Sequence, residues 1–274
     1  LASASPSFTP ATNSSGLGPL APLEGTWVGN KGWNVVALPF TGEPNEFVFN
    51  LLIFNYTETL TFTPIGATTN RGVTNTQTTY GFQYEQVITE IETNTIVHKE
   101  NGMWLTYDYP PPPPSPPLTI ARMSNIPHGD TLMALGTSTI TQGPPTFADL
   151  NILPLDVDVL GPSYVAPYYD VNMPFPPENM NAYLSEVISN QTIISTTHIS
   201  VSTDNGGMVT NIPFVTKNAN VDRFSCDFYI ETVQDADGAT YLQLQYTQNS
   251  SMKFLQNPST DELIVWPHGN INTL

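Results

Sequence analysis

Over most of the chain, apolar side chains recur at every second position, the period of a half-buried β-strand. Across residues 47–65, Val48, Leu52, Phe54, Tyr56, Leu60 and Phe62 alternate with Asn55, Thr57, Thr59 and Thr61, which predicts one long bent strand or two shorter ones. Alternation resumes at 80–92 through Phe82, Tyr84, Val87 and Ile88. At 95–109 it flanks Asn101-Gly102, a dipeptide that predicts a hairpin turn between two strands. Further strands are predicted at 118–123, 131–141, 193–202, 223–233, 241–254 and 263–274, with turns at Asp204 to Gly207 and at Asp235 to Gly238. Ahead of them all, Leu23 to Leu38 runs through Gly25, Thr26, Trp27, Gly29 and Gly32 as a first strand whose Trp27 would close the floor of a barrel. The period changes once: Met180, Tyr183, Leu184, Val187 and Ile188 recur at helical spacing, and such a helix is expected to pack across an open end.

About ten strands, one helix and no internal repeat predict an all-β fold, an antiparallel closed β-barrel with one short helix and a long proline-rich insertion. Its core is expected to hold Trp27, Phe54, Leu60, Trp104, Phe228, Ile230, Leu242 and Leu244. Residues 1–22, rich in Ser, Ala, Pro and Gly, are expected to form an extended arm, and 23–274 a single barrel domain. The run of prolines over 110–117 predicts a stiff polyproline connection. The insertion, 142–192, contains a loop at 142–177 too long to be idle, so it is expected to act as a lid or an interface, with Tyr164, Tyr168 and Tyr169 exposed.

Charge narrows the possible partners. Only 11% of the 274 residues are charged, and 24 acidic against 7 basic side chains leave a net charge of −17. Such a surface repels phosphate backbones and anionic lipid, so neither nucleic acid nor membrane is an expected partner, and no run of apolar residues is long enough to span a bilayer. A chain that lacks a starting Met and carries sequons at Asn13, Asn55, Asn190 and Asn249 is expected to be a processed, secreted glycoprotein. Cys226, the one cysteine, shares a strand face with Phe224, Phe228 and Ile230 and is expected to be a buried, inert thiol.

No nucleophile elbow, phosphate-cradling loop, dinucleotide fingerprint or close histidine pair of a zinc site is present, so no catalytic residue is assigned and enzymatic action stays open. Glu90, Glu92 and Glu100 read as a solvated strand edge. The acids of Asp235 to Gly238 lack calcium-loop spacing. Among the histidines, His128 and His268 share a Pro-His-Gly context, in which proline fixes the chain before the imidazole and glycine clears space behind it. His198 lies on a strand of Ser, Thr and Ile and reads as a surface residue.

Three short stretches resemble the nitrobindin-like, heme-binding β-barrels of the calycin group: Leu23 to Gly29, Tyr56 to Phe62, and the His98-x-Glu100-x-Gly102 segment with Trp104. The spacing from His268 to the terminal Leu274 is similar to that of the family's heme ligand, and Ile126 to Gly129 and Trp266 to His268 resemble longer secreted proteins described as heme-binding. The first strand lacks the family's full glycine repeat, and 142–190 has no counterpart in the small barrels. The resemblance implies heme, or another large flat apolar ligand, bound by His268, with His128 as runner-up on the distal side and His98 third. Nitric oxide or peroxide chemistry would follow from an open distal position. The competing expectation is a ligand-free structural protein that multimerises through residues 1–22 and 142–177.

Overall fold

In the computed structural model, the described residues are 16–40, 49–108, 118–155, 165–257 and 259–274. Among the described residues twelve strands are present: β1 (Gly25–Pro39), β2 (Phe49–Pro64), β3 (Thr68–Arg71), β4 (Thr76–Glu90), β5 (Ile96–Tyr107), β6 (Ile120–Ile126), β7 (Asp130–Gln142), β8 (Thr192–Ser202), β9 (Met208–Asn211), β10 (Asn220–Gln234), β11 (Thr240–Gln256) and β12 (Leu263–Thr273). Three short helices join them: α1 (Ala166–Tyr169), α2 (Ala182–Ile188) and α3 (Pro213–Asn218).

Ten of the strands pair antiparallel in the order β2, β1, β12, β11, β10, β8, β7, β6, β5, β4, and β4 pairs back onto β2, so the hydrogen-bonded order forms a ring. β3 flanks β4, and β9 flanks β7. Alternation explains the ring. In β2, Tyr56, Glu58, Leu60 and Phe62 turn inward while Thr57 and Thr59 face out. The described part of the 47–65 segment is therefore one strand.

Where the expectations differ, local contacts give the reason. Asn101-Gly102 makes no turn, because β5 runs straight through it. A side chain on Gly102 would strike the Met123 carbonyl oxygen of β6 at 1.9 Å, so this glycine answers close strand approach instead. Gly32 follows the register shift in β1 and leaves room for the Tyr56 ring, which a Cβ would meet at 2.2 Å. Elements β3, α1, β9 and α3 lie where no strand or helix is expected, the last two within the connection between β8 and β10. The proline run of 110–117 and Tyr164 lie outside the described residues.

One end of the ring interior is a packed floor. Leu60, Phe62, Phe82, Trp104, Phe228, Leu244 and their neighbours form it. A 3-10 segment, Gly18–Leu23, closes this end with Leu20 and Leu23. The last part of the expected arm is thus a plug with buried leucines. Of the expected core, Leu60, Trp104, Phe228, Ile230 and Leu244 are buried, whereas Trp27 and Phe54 are partly buried and Leu242, near the start of β11, is 47% exposed.

The insertion packs on the outside. Leu150, Ile152, Tyr168, Phe175, Met180 and Leu184 cover the outward residues Val35 of β1 and Ile271 of β12, with Trp33, Leu51 and Ile53 around them. Helix α2 has the expected apolar face, but it lies against this outer surface: Leu184 O accepts from Gln245 Nε2, and Asn181 Oδ1 accepts from Thr247 Oγ1. Both side chains sit on β11 and point away from the ring interior. Tyr168, expected on the surface, is buried here, while Tyr169 is exposed.

Candidate functional site

Above the apolar floor lies a belt of buried polar groups in two networks. In the first, Glu58 on β2 accepts from Tyr246 Oη at 2.6 Å, Asn272 Nδ2 at 2.8 Å and Gln86 Nε2 at 2.7 Å, and Tyr56 Oη stands 2.8 Å from Tyr246 Oη. Burial raises the Glu58 pKa against the lowering pull of these hydrogen bonds. In the second, Arg122 Nη2 on β6 donates to Glu100 Oε1 on β5 at 2.7 Å, and Tyr84 Oη donates to the same carboxylate. The Arg122 guanidinium also lies over the rings of Phe224, Tyr84 and Trp104 at 4.9, 5.4 and 5.4 Å.

Glu100 is therefore not on a solvated edge, since it is only 6% exposed. Burial would raise its pKa, but Arg122 foremost, then His98 and Tyr84, holds it well below the usual carboxylate range. Sequence reasoning missed this ion pair. Its signal was present: Glu100 and Arg122 share the alternation phase of Trp104 and Tyr84, so a charge sits where the pattern demands a core residue.

Three histidines stand above the belt, toward the other end of the ring. His98 sits near the start of β5, with Nε2 3.2 Å from Glu100 Oε2. Extending the β5 to β6 register beyond Asn101↔Asn125 sets His98 opposite His128, and the two rings are 5.6 Å apart. His128 occupies the turn between β6 and β7 and is exposed; its pKa is lowered by partial burial and then by His98. His268 projects from β12, paired in register with Ser250 of β11. Its Nε2 is 2.8 Å from Asn34 Oδ1 of β1.

The His268 ring is partly buried, and burial, with the charges of His98 and His128 behind it, lowers its pKa to about 3. Burial thus favours its neutral form near pH 7. With Nε2–H donated to the Asn34 amide oxygen, the lone pair lies on Nδ1.

Thus the three histidines picked from the sequence meet at one mouth, although their positions span 98 to 268. His198 is elsewhere: it lies on the outer face, stacked on Tyr229 at 4.6 Å with Nε2 2.8 Å from Asp227 Oδ1. Cys226 is buried in the floor and burial pushes its thiol up to about 12, which makes it inert. Of the sequons, Asn190 is exposed, Asn55 and Asn249 are partly buried, and Asn13 lies outside the described residues.

Strand ends at the same mouth carry apolar side chains open to solvent: Leu38 of β1, Leu52 of β2, Ile96 of β5 and Leu263 of β12, at 37, 42, 53 and 48% exposure. Behind them Trp266 stacks on Phe254 at 4.8 Å, on the inward rows of β12 and β11. An open groove of about 480 Å³ lies apart from this mouth, beside the β1 irregularity, and is lined by Val28, Asn30, Thr57, Thr59 and Val87 with no imidazole. Among the described residues, no three His, Cys, Asp or Glu side chains are gathered closely enough to hold a bare metal ion.

These residues fit an iron porphyrin in donor chemistry. A neutral imidazole on a strand supplies a lone pair, two further imidazoles share its mouth, and an apolar rim suits a large flat ring.

No protein-family model matches this chain, and no curated protein does. Among solved structures, the chain is similar to the crystal structure of Rv2717c from M. tuberculosis, with 15% identity, a TM-score of 0.42, and 94% of this chain and 97% of that one covered. A likeness this loose assigns neither a fold family nor a function.

Proposed function

We propose that the ring is a calycin-type barrel that binds heme, or a similarly large and flat apolar ligand, at its histidine mouth. The observation that carries this reading is the convergence of His98, His128 and His268 above a sealed polar belt and beside an apolar rim. His268 would be the ligand to iron, because it is neutral, mounted on a strand, and oriented by Asn34 as metal-bound histidines are oriented by a hydrogen bond to their other nitrogen. His128 and His98 would face the opposite side, where an exposed turn imidazole can donate a hydrogen bond to a bound small molecule. When bound, heme would supply the reactive or gas-binding centre; the chain's own part is to hold it, exclude water with the apolar rim, and place a proton donor at His128. The polar belt closes the ring beneath the mouth, so the ligand would enter from the rim rather than through the floor.

Hemin titration followed by its absorbance tests this. A Soret band that saturates at one equivalent is expected, lost or strongly shifted in His268→Ala and altered in position but retained in His128→Ala. Loss in His128→Ala alone would move the ligand to the turn, and unsaturable binding that ignores both substitutions would end the heme reading.

A further inference from the structure

The outer surface carries a second feature that the histidine mouth does not use. Outward-facing residues of β5, β6, β7 and β9 align across the sheet as Met103↔Met123, Met123↔Met133 and Met133↔Met208. Four of the chain's 7 methionines thus stand in one row perpendicular to the strands. Met103, Met123 and Met208 are 41, 41 and 60% exposed, so they do not fill the core.

Methionine is also a weak choice for an exposed strand, where β-branched and aromatic residues are preferred, and Thr fills many neighbouring outward positions. The row is bordered on one side by polar residues in the same registers: Asn125 Nδ2 donates to Asn101 Oδ1 at 3.2 Å, and Thr131 Oγ1 donates to Asn125 Oδ1 at 3.4 Å. On the other side lie Leu105, Ala121 and Leu135.

We infer that this row is a binding site for a soft monovalent cation, copper(I) in chemical class, held by thioether sulfurs. Thioethers are neutral, polarizable donors that select soft metals over zinc, calcium or magnesium. Directly opposed strand residues hold their Cβ atoms about 4.5 to 5.5 Å apart, and the unbranched methionine side chain has enough rotatable bonds for adjacent sulfurs to converge on one ion between them. Met123 has a methionine on each side and Met133 does too, so a three-sulfur set is centred on either. The net charge of −17 adds an attractive field for any cation. The site is independent of the histidine mouth, since these side chains point away from the ring interior.

Silver(I), a redox-stable probe of the same softness, in chloride-free buffer tests the inference on protein labelled at the methionine methyl carbons. The methyl resonances of Met103, Met123, Met133 and Met208 are expected to shift together and saturate near one equivalent, while those of Met180 and Met252, which are buried, stay in place. Zinc(II) should leave all four unmoved. Met123→Leu, a substitution of similar volume on an exposed face, should weaken silver binding at least ten-fold with an unchanged circular dichroism spectrum. Silver binding that shifts none of the four methyls, or a Met123→Leu protein that binds as tightly as the parent, would overturn the site.

Discussion

The two ends of the ring interior are built from the same alternating strands and differ in what their inward side chains meet. At the floor, Phe62, Phe82, Trp104 and Phe228 are each at most 2% exposed and touch one another ring to ring, as in Trp104 to Phe228 at 4.7 Å. At the mouth, Leu52 occupies an inward row of β2, yet it is 42% exposed, and the polar partners are three imidazoles. One end has all its neighbours supplied by the chain, while the other sets a buried cluster of Phe254, Ile264 and Trp266 beside an open rim. Stability should therefore reside in the floor, and recognition in the mouth, where residues can change without unfolding the ring.

The largest effect expected from this contrast is at Phe228. Its replacement by Ala empties a site lined by Trp104, Phe62 and Tyr246 and should cost about 3 to 5 kcal/mol in denaturant unfolding. Leu52→Ala at the mouth should cost about 0.5 kcal/mol or less. Equal costs at the two positions would erase the distinction between the ends.

The long strands of the ring were legible because their existence rests on period, while the four-residue β3 and β9 were not. Alternation in 47–65, 131–141, 193–202 and 241–254 points to β2, β7, β8 and β11. The face of α2 was equally plain. What period cannot convey is which surface a face meets, and so the helix was expected across an open end when the apolar residues of the insertion lie on outward Val35 and Ile271. The Asn-Gly signal at 101–102 failed for a related reason: the demand for glycine came from the Met123 carbonyl of the next strand, a contact distant in sequence. Of the candidate site, the Pro-His-Gly context drew attention to His128 and His268. The Glu100 and Arg122 pair beneath it was not legible, because a charged residue on a strand reads as exposed until its partner across the sheet is known.

That pair joins the two ends and gives the second prediction. Glu100 holds Arg122 of the belt on one oxygen and His98 of the mouth on the other. Glu100→Gln would leave the guanidinium buried without its counter-charge, at a cost of about 3 kcal/mol. It should also release His98, so that under the proposed heme reading hemin affinity falls along with stability, whereas Phe228→Ala should lower stability and leave any such affinity in the folded protein nearly intact. A Glu100→Gln protein as stable as the parent would show that the rings of Tyr84, Trp104 and Phe224 suffice to hold the cation.

A further effect concerns the mouth alone and is read through pH. The His268 pKa falls from 6.5 to about 3 on folding, first through burial and then through His98 and His128. Between those values the unfolded chain binds a proton that the folded one refuses, so this contribution to stability is complete above about pH 6.5 and is lost progressively as pH drops toward 3. Glu58 and Glu231, whose pKa values burial raises, the latter to about 7, act with the opposite sign over an overlapping range. The net slope of the parent protein is thus uninformative, and the comparison must be with His268→Gln, in which both carboxyl groups remain. Relative to that variant, the parent should lose about 1 to 2 kcal/mol between pH 7 and pH 5, the lower figure reflecting the part of the ring that solvent reaches. Parallel pH profiles for the two proteins would mean that the His268 ring swings into water when protonated, and the mouth would then be an open rim rather than a site that holds its ligand imidazole in place.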